Sequence, residues 1–245
     1  MKGIEVNLTQ IMGLISRERL QYQVYCGVSI GVLGLTGILY FSNKLLFERF
    51  LGRINPILAF LLIIFLGGIF LSHLLSQGMF AIFIRENLEG LFRRSSLAAL
   101  FVFISILVDF KVGFPAQMNI LFPKSLAFYP AIGFLVEILF HVLPLSILFI
   151  SLTSIFKNIR NENIIWICIL IVALLEPIFQ TMDMASSNQF PLWALALVGL
   201  NIFLFNLSQL LIFKRYDFIS MYSFRLVYYL IWHIAWGYIR LKLLF

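Results

Sequence analysis

Long runs of apolar residues, separated by short polar segments, follow one another along the chain. The runs reach the ~20 residues that an α-helix needs to cross the hydrocarbon core of a bilayer. Transmembrane β-strands would instead alternate over about ten residues, which is not the pattern of this sequence. The pattern predicts about seven membrane-spanning helices, with eight as the alternative count, at 22–41, 56–84, 95–110, 125–155, 164–183, 191–213 and 218–240.

The predicted fold class is therefore all-α, a polytopic membrane helix bundle. The loops between the runs are short, and the sequence has no internal repeat or low-complexity linker, so 22–245 is predicted to be a single membrane domain. Segment 1–21 is predicted to be an interfacial amphipathic helix, since Ile4, Leu8, Ile11 and Ile15 recur at helical spacing.

Composition agrees with this fold. Hydrophobic residues make up 62% of the 245 residues and charged residues only 12%, against the ~25% typical of soluble domains, and the mean hydropathy is +1.00. The net charge is +7, but the Lys and Arg residues lie in short loops at the ends of the runs rather than in one patch. We therefore expect membrane lipid as a partner and no nucleic acid.

The positions of Lys and Arg also predict the orientation. Ten of them lie in the N-terminal arm and the loops after the second, fourth and sixth runs, and seven lie on the opposite side. Because cytoplasmic loops carry an excess of Lys and Arg, the N-terminus is predicted to be cytoplasmic. The expected location is a multi-pass protein in a bacterial-type plasma membrane.

Small residues in the first run predict a helix contact. Gly27, Gly31 and Gly34 share one helical face, and small residues at such spacing let helix backbones approach closely. We expect this face to pack against another helix.

Three of the later runs carry ionisable side chains, each of which costs at least ~2.5 kcal/mol at the centre of a span and so needs a reason. In the fourth, Glu137 and His141 lie one helical turn apart on one face. Polar residues of the fifth form one stripe, and those of the seventh fall within about a third of a turn. These residues are Glu176, Gln180 and Asp183 in the fifth run, and Tyr222, Arg225, Tyr229, Trp232, His233 and Trp236 in the seventh.

Glu137, Glu176 and His233 are all predicted to lie about 10–14 Å below the same membrane surface. Pro144 and Pro177 follow the two acids and should kink their helices, which would open a cavity there. We therefore predict an intramembrane site with two groups of residues. The catalytic candidates are Glu137, His141, Glu176 and His233, and the supporting residues are Gln180, Arg225, Tyr229 and Trp236.

Two kinds of chemistry fit these residues. Glu137 can act as general base towards water, with His233 or His141 polarising a carbonyl group. Alternatively, the four catalytic candidates are nitrogen and oxygen donors that can hold a divalent metal such as Zn²⁺ and activate its water. The sequence leaves the metal-free and metal-bound mechanisms open.

The motif Val136-Glu137-xxx-His141 and the later Arg225-xxx-Tyr229-xx-Trp232-His233 resemble the CPBP family of intramembrane endopeptidases, which includes CAAX proteases and bacteriocin-processing proteins. The resemblance covers about 125–240. It implies a CPBP-like helical core in which an acidic residue activates water and histidines assist it.

The chain departs from the usual motifs of that family. Val136 stands in place of the first Glu of the Glu-Glu pair, and His141 takes the usual Arg position. Glu176 or Gln180 occupies the region of the middle histidine. His233 matches the last histidine, but Gly237 replaces the Asn that normally follows.

Three functions are consistent with these features. The first is an intramembrane hydrolase of the protease class, cleaving a peptide or membrane-protein substrate with a Glu-activated water. The second is a catalytically inactive membrane protein that assembles with, or sequesters, another membrane protein. The third is a proton-coupled transporter that uses the buried acids as a relay.

Overall fold

A computed structural model describes residues 13, 16–186 and 190–245. The predicted interfacial helix at Ile4, Leu8, Ile11 and Ile15 lies outside these residues. Within the described ranges every regular element is helical, and six helices are long and apolar enough to cross a membrane. They are α1 (Arg19–Ser42), α2 (Pro56–Ser76), α3 (Arg85–Val112), α4 (Ser125–Ile155), α5 (Asn161–Ser186) and α6 (Leu192–Arg215).

A seventh helix, α7 (218–243), completes the bundle. It consists of three consecutive parts, Phe218–Tyr229, the π-helical Leu230–Trp236, and Gly237–Leu243. The prediction of an all-α polytopic membrane helix bundle with about seven long helices is thus confirmed.

Two predicted boundaries are wrong. α2 ends at Ser76 rather than at 84, since Gly78 adopts a φ of +68° and residues 79–84 form an irregular segment. α3 begins at Arg85 rather than at 95, because a 3₁₀ turn, Arg85–Gly90, precedes its α-helical part. Apolar character alone misplaces both ends, because the apolar segment 79–84 is irregular and the charged segment 85–94 is helical.

Local sequence explains where two of the helices begin. The Asn55 side chain accepts hydrogen bonds from Ile57 N at 2.9 Å and from Leu58 N, and Pro56 takes the first helical position of α2. The Asp217 carboxylate accepts from Ser220 N at 2.7 Å at the start of α7.

Three interruptions lie in the central helices, and two of them are associated with prolines noted in the sequence. Residues Glu137–Val142 of α4 form a π-helix immediately before Pro144. In α5 the regular helix ends at Ala173 and resumes at Leu175, two residues before Pro177. Pro130 lies inside α4, and the second π-helix lies in α7. Because a π-helix bonds residue i to i+5, it changes the direction in which the following side chains point.

The main hydrophobic core lies between α1, α2, α4, α5, α6 and α7, with α4 inside the bundle. The prediction that Gly27, Gly31 and Gly34 pack against a helix is wrong, since a Cβ at any of the three would meet no neighbouring atom. Close approach occurs instead at Gly67 of α2. A Cβ there would lie 2.7 Å from the Tyr25 hydroxyl oxygen.

Candidate functional site

The Arg225 guanidinium group lies at the centre of a buried network that joins α4, α5, α6 and α7. Its Nε donates to Glu137 Oε1 at 2.5 Å, and its Nη1 and Nη2 donate to the two carboxylate oxygens of Glu176 at 3.1 and 2.8 Å. Nη2 also donates to Gln209 Oε1 at 2.8 Å, and Nη1 to the Tyr229 hydroxyl at 3.2 Å. Arg225 is only 1% exposed, so these bonds form away from solvent. We call these residues, with His141 and Gln180, the Arg225 network.

Both carboxylate oxygens of Glu137 have a close neighbour. Oε1 accepts hydrogen bonds from Arg225 and from the Gln209 amide. Oε2 lies 3.0 Å from His141 Nδ1, which is ion-pair distance, although the two groups are not aligned as a hydrogen bond. Glu137 and His141 are both fully buried. The predicted pairing of these two residues on one face of α4 is present.

Glu176 connects the buried network to the surface of α5. Its Oε1 accepts a hydrogen bond from Gln180 Nε2 at 2.9 Å, one helical turn further along. Glu176 is buried, whereas Gln180 and Asp183 are exposed. The predicted polar stripe on α5 therefore runs from an exposed end to the centre of the bundle.

The network brings opposite charges together inside the bundle. The carboxylates of Glu137 and Glu176 both contact the Arg225 guanidinium group. Removing ions from water costs several kcal/mol each, and this cost is offset only where geometry is good and hydrogen bonds saturate the groups. The forked contact of Arg225 with Glu176 meets that requirement. The network is thus an ion cluster that ties four helices together.

His233 lies beyond Tyr229 and makes different contacts. Its Nδ1 is hydrogen-bonded to Asn119 Oδ1 at 2.8 Å, and its ring stacks on Tyr129 with 4.5 Å between centroids. Tyr229, whose hydroxyl accepts from Arg225, also contacts the His233 ring at 5.0 Å between centroids. The sequence placed His233 on the same face as Arg225 by assuming regular α-helical spacing, and the π-helix Leu230–Trp236 changes that spacing.

The four predicted metal ligands do not assemble. Among the described residues, no group of three or more His, Cys, Asp or Glu side chains is placed to hold a metal ion. Arg225 lies between Glu137 and Glu176, where its positive charge would repel a divalent cation. His233 is held by Asn119 instead. The prediction of a Zn²⁺ site at Glu137, His141, Glu176 and His233 therefore does not fit this geometry.

A second buried polar cluster surrounds Asp109 at the end of α3. Arg240 donates to both Asp109 oxygens, and the Trp236 indole donates to Oδ2 at 2.7 Å. Phe114 N donates to Oδ1 at 2.8 Å, and Arg240 also bonds the carbonyl oxygens of Phe114 and Pro115. Trp236, predicted to support the site, belongs to this cluster. It fastens α3 and the following loop to α7.

Ionisable residues were singled out from the sequence only in the fourth, fifth and seventh runs, so Asp109 and the Asn119 loop were missed. The available signal was an acidic residue among apolar neighbours in Ile106-Leu-Val-Asp109-Phe. Gln209 of α6 was also not among the predicted site residues, and it forms hydrogen bonds to Glu137 of α4 and Arg225 of α7.

Seven long helices, most of them apolar enough to cross a bilayer, together with buried ion clusters between them, define an all-α integral membrane protein of the polytopic class. No protein-family model, no curated protein and no solved structure matches it.

Proposed function

We propose that this chain is a non-catalytic membrane protein that acts by associating with another membrane protein, and that the Arg225 network fixes the helices that form the association surface. The observation that carries the proposal is that Glu137 is enclosed by protein groups. Its Oε1 accepts hydrogen bonds from Arg225 and Gln209, its Oε2 lies 3.0 Å from His141 Nδ1, and the residue is 0% exposed.

Hydrolysis would require a different environment for this acid. A general base must reach the water or the proton it takes within hydrogen-bond distance or through one water. Glu137 Oε1 already accepts two hydrogen bonds, one from Arg225 and one from the Gln209 amide, so both lone-pair positions of this oxygen are occupied by protein donors. Two clefts in the described part of the chain lie at helix ends, and neither is lined by a residue of the Arg225 network.

The outer surface of α5 supplies the association surface in this proposal. Gln180 and Asp183 are exposed there, within a helix that is otherwise apolar enough to span a bilayer. Exposed polar groups are costly against lipid and favourable against a helix that offers hydrogen-bond donors. The partner in this proposal is therefore a transmembrane helix with Lys, Arg, Ser or Thr facing Asp183 and Gln180.

The test compares purification of the tagged full-length chain from its own membranes in three forms. The double variant Gln180→Leu plus Asp183→Leu should lose a membrane-protein partner that the wild type retains. Glu137→Gln should keep it, because glutamine still accepts from Arg225. Phe179→Leu, an exposed apolar change on the same helix, is the matched control. If all variants retain the same proteins, the surface proposal is wrong.

An intramembrane peptidase of CPBP type is the second candidate, because one observation favours it. His141 Nε2 is buried and has no hydrogen-bond partner among the described residues, and it lies beside Glu137 within a π-helix. Single-turn π-helices often occur at functional sites. Cleavage of a peptide substrate that is lost in both Glu137→Gln and His141→Phe, with folding retained, would support the peptidase over the partner protein. Proton-coupled transport stays a prediction.

The proposed orientation has a cytoplasmic N-terminus in a bacterial-type plasma membrane. Its support is the excess of Lys and Arg on the side that contains the start of α1 and the ends of α2, α4 and α6. In this orientation the exposed end of α5 faces outwards, because α5 begins on the cytoplasmic side.

A further inference from the structure

A cleft opens at one end of the bundle, where α1 begins and where α2 and α6 end. Its volume is about 310 Å³, within the range of small-ligand sites. We call it the basic cleft. It is lined by residues from around the start of α1, from the end of α2 and the segment after it, and from the end of α6.

One wall of the basic cleft is the irregular segment 79–84, which is held on two sides. Ile82 N donates to Gln21 Oε1 of α1 at 2.6 Å. On the other side, Phe218 N and Ile219 N donate to the carbonyl oxygens of Ala81 and Ile82 at 3.0 and 3.2 Å. Because its backbone is bonded to both α1 and α7, this wall is part of the fixed structure.

The Asp217 side chain holds the end of the same segment by further hydrogen bonds. Its Oδ2 accepts from Ile84 N at 3.1 Å and from Asn87 Nδ2 at 2.6 Å. Phe80 and Ile82 are buried against the main core. The cleft is therefore preformed, which lowers the ordering cost of binding.

The charges around the basic cleft are predominantly positive. Arg17, Lys214 and Arg215 supply three cations, and Glu18 is the one acid among the lining residues. Glu18 already pairs with Arg17 Nε at 3.0 Å and accepts from Gln21 Nε2 at 2.7 Å. Lys214 Nζ lies 5.2 Å from the centroid of the Trp166 ring and Arg215 Cζ lies 5.7 Å from that of Tyr216, and neither cation forms an ion pair with an acid among the described residues. Their charges are therefore not neutralised, and a ligand of the cleft should be an anion.

The apolar part of the lining indicates where the anion comes from. Leu75, Met79 and Ile84 lie beside the cations, at the end of helices that are long enough to span a bilayer. This combination of cations and aliphatic side chains at a membrane boundary matches a lipid headgroup with the start of its acyl chains.

We propose that the basic cleft binds the phosphate group of an anionic membrane lipid, with Lys214 and Arg215 as the ligands. A soluble phosphate compound shares this chemistry, and the test separates the two sources. The proposal does not depend on whether the chain is a partner protein or a peptidase.

The experiment uses native mass spectrometry of the purified full-length protein in detergent, titrated with phosphatidylglycerol, with phosphatidylcholine of the same acyl chains, or with inorganic phosphate. The wild type should bind one phosphatidylglycerol in preference to phosphatidylcholine. Lys214→Gln plus Arg215→Gln should weaken this binding about tenfold or more, since each cation near a membrane surface contributes roughly fivefold.

Two controls make the outcome specific. Lys157→Gln plus Arg160→Gln removes two cations at the same end of the bundle but outside the cleft, and should change binding less than twofold. Lys214→Arg plus Arg215→Lys keeps the charge and should retain binding, which separates lost charge from lost folding.

Preference for phosphatidylglycerol supports a lipid source, and displacement of that lipid by inorganic phosphate alone supports a soluble source. Equal binding of the two phospholipids with no effect of phosphate overturns the proposal. An equal loss in the control double variant also overturns it, because binding would then follow the overall charge of that membrane face.

Discussion

Arg240 donates a forked pair of hydrogen bonds to Asp109, from Nε to Oδ2 at 2.7 Å and from Nη2 to Oδ1 at 2.8 Å. The two residues are 131 positions apart in the chain. Both side chains are at most 1% exposed. Together with the Trp236 indole, the pair fastens the end of α3 to the last turns of α7. Two helices far apart in sequence are thus joined by one carboxylate.

We predict that Asp109→Ala lowers the free energy of unfolding by about 3–5 kcal/mol, because it leaves the Arg240 charge buried and unpaired. Thermal unfolding in detergent would show a lower midpoint. Lys242→Ala, an exposed cation two residues from Arg240, is the control and should leave the midpoint unchanged. Midpoints that are equal for the two variants would contradict the role given to this pair.

Removing the cation of the Arg225 network should lower the free energy of unfolding more than removing the charge of one of its acids. Arg225→Leu leaves Glu137 and Glu176 buried without a counter-ion, which should cost about 3–5 kcal/mol. Glu137→Gln keeps a hydrogen-bond acceptor for Arg225 and leaves the forked contact with Glu176 intact, so its cost should be clearly smaller. Chemical denaturation of both variants measures the difference. The opposite order of stability would mean that Arg225 does not hold the network together.

Gly67 should tolerate no side chain. In Gly67→Ala the new Cβ meets the Tyr25 hydroxyl oxygen at 2.7 Å and Ile138 Cδ1 at 2.8 Å, so a loss of about 1–3 kcal/mol is expected from overpacking. Gly31→Ala is the matched control, since its Cβ meets nothing within 4 Å and alanine favours a helix by about 0.5–1 kcal/mol over glycine. The midpoint of thermal unfolding should therefore fall in Gly67→Ala and stay the same or rise in Gly31→Ala.

The orientation can be measured with single cysteines in a variant that lacks Cys26 and Cys168. Lys157→Cys and Arg53→Cys lie at opposite ends of the bundle, after α4 and α1 respectively. With a cytoplasmic N-terminus, a membrane-impermeant thiol reagent added to intact cells should label the cysteine at 53 and spare the one at 157. Labelling only at 157 would reverse the orientation.

The positions of most helices follow from apolar length alone, and α1, α4, α5 and α6 lie within a few residues of their predicted ranges. The pairing of Glu137 with His141 followed from their spacing on one turn. Both results need only local information, because a buried polar residue inside a long apolar run already marks a helix face that avoids lipid.

The contacts between side chains of different helices were harder to predict. Arg225 was expected only to support the site, and the structure makes it the shared counter-ion of two acids from other helices. His233 was expected beside Glu137, and the π-helix of α7 turns it towards Asn119. Periodicity of 100° per residue cannot anticipate such a change, since nothing in the sequence around Leu230 marks the extra residue in that turn.

The π-helices of α4 and α7 carry one residue more in a turn than an α-helix does, so each is equivalent to an α-helix with a single inserted residue. In a regular α-helix, deleting one residue rotates everything beyond it by roughly 100°. Deleting one residue from Leu230–Trp236 would instead restore α-helical bonding and leave Arg240 on its present face towards Asp109, because the π-helix already absorbs the extra residue. A one-residue change in chain length at this place would therefore redirect only the side chains within the segment, among them His233, and the bundle could lose the contact of His233 with Asn119 without losing the contact of Arg240 with Asp109.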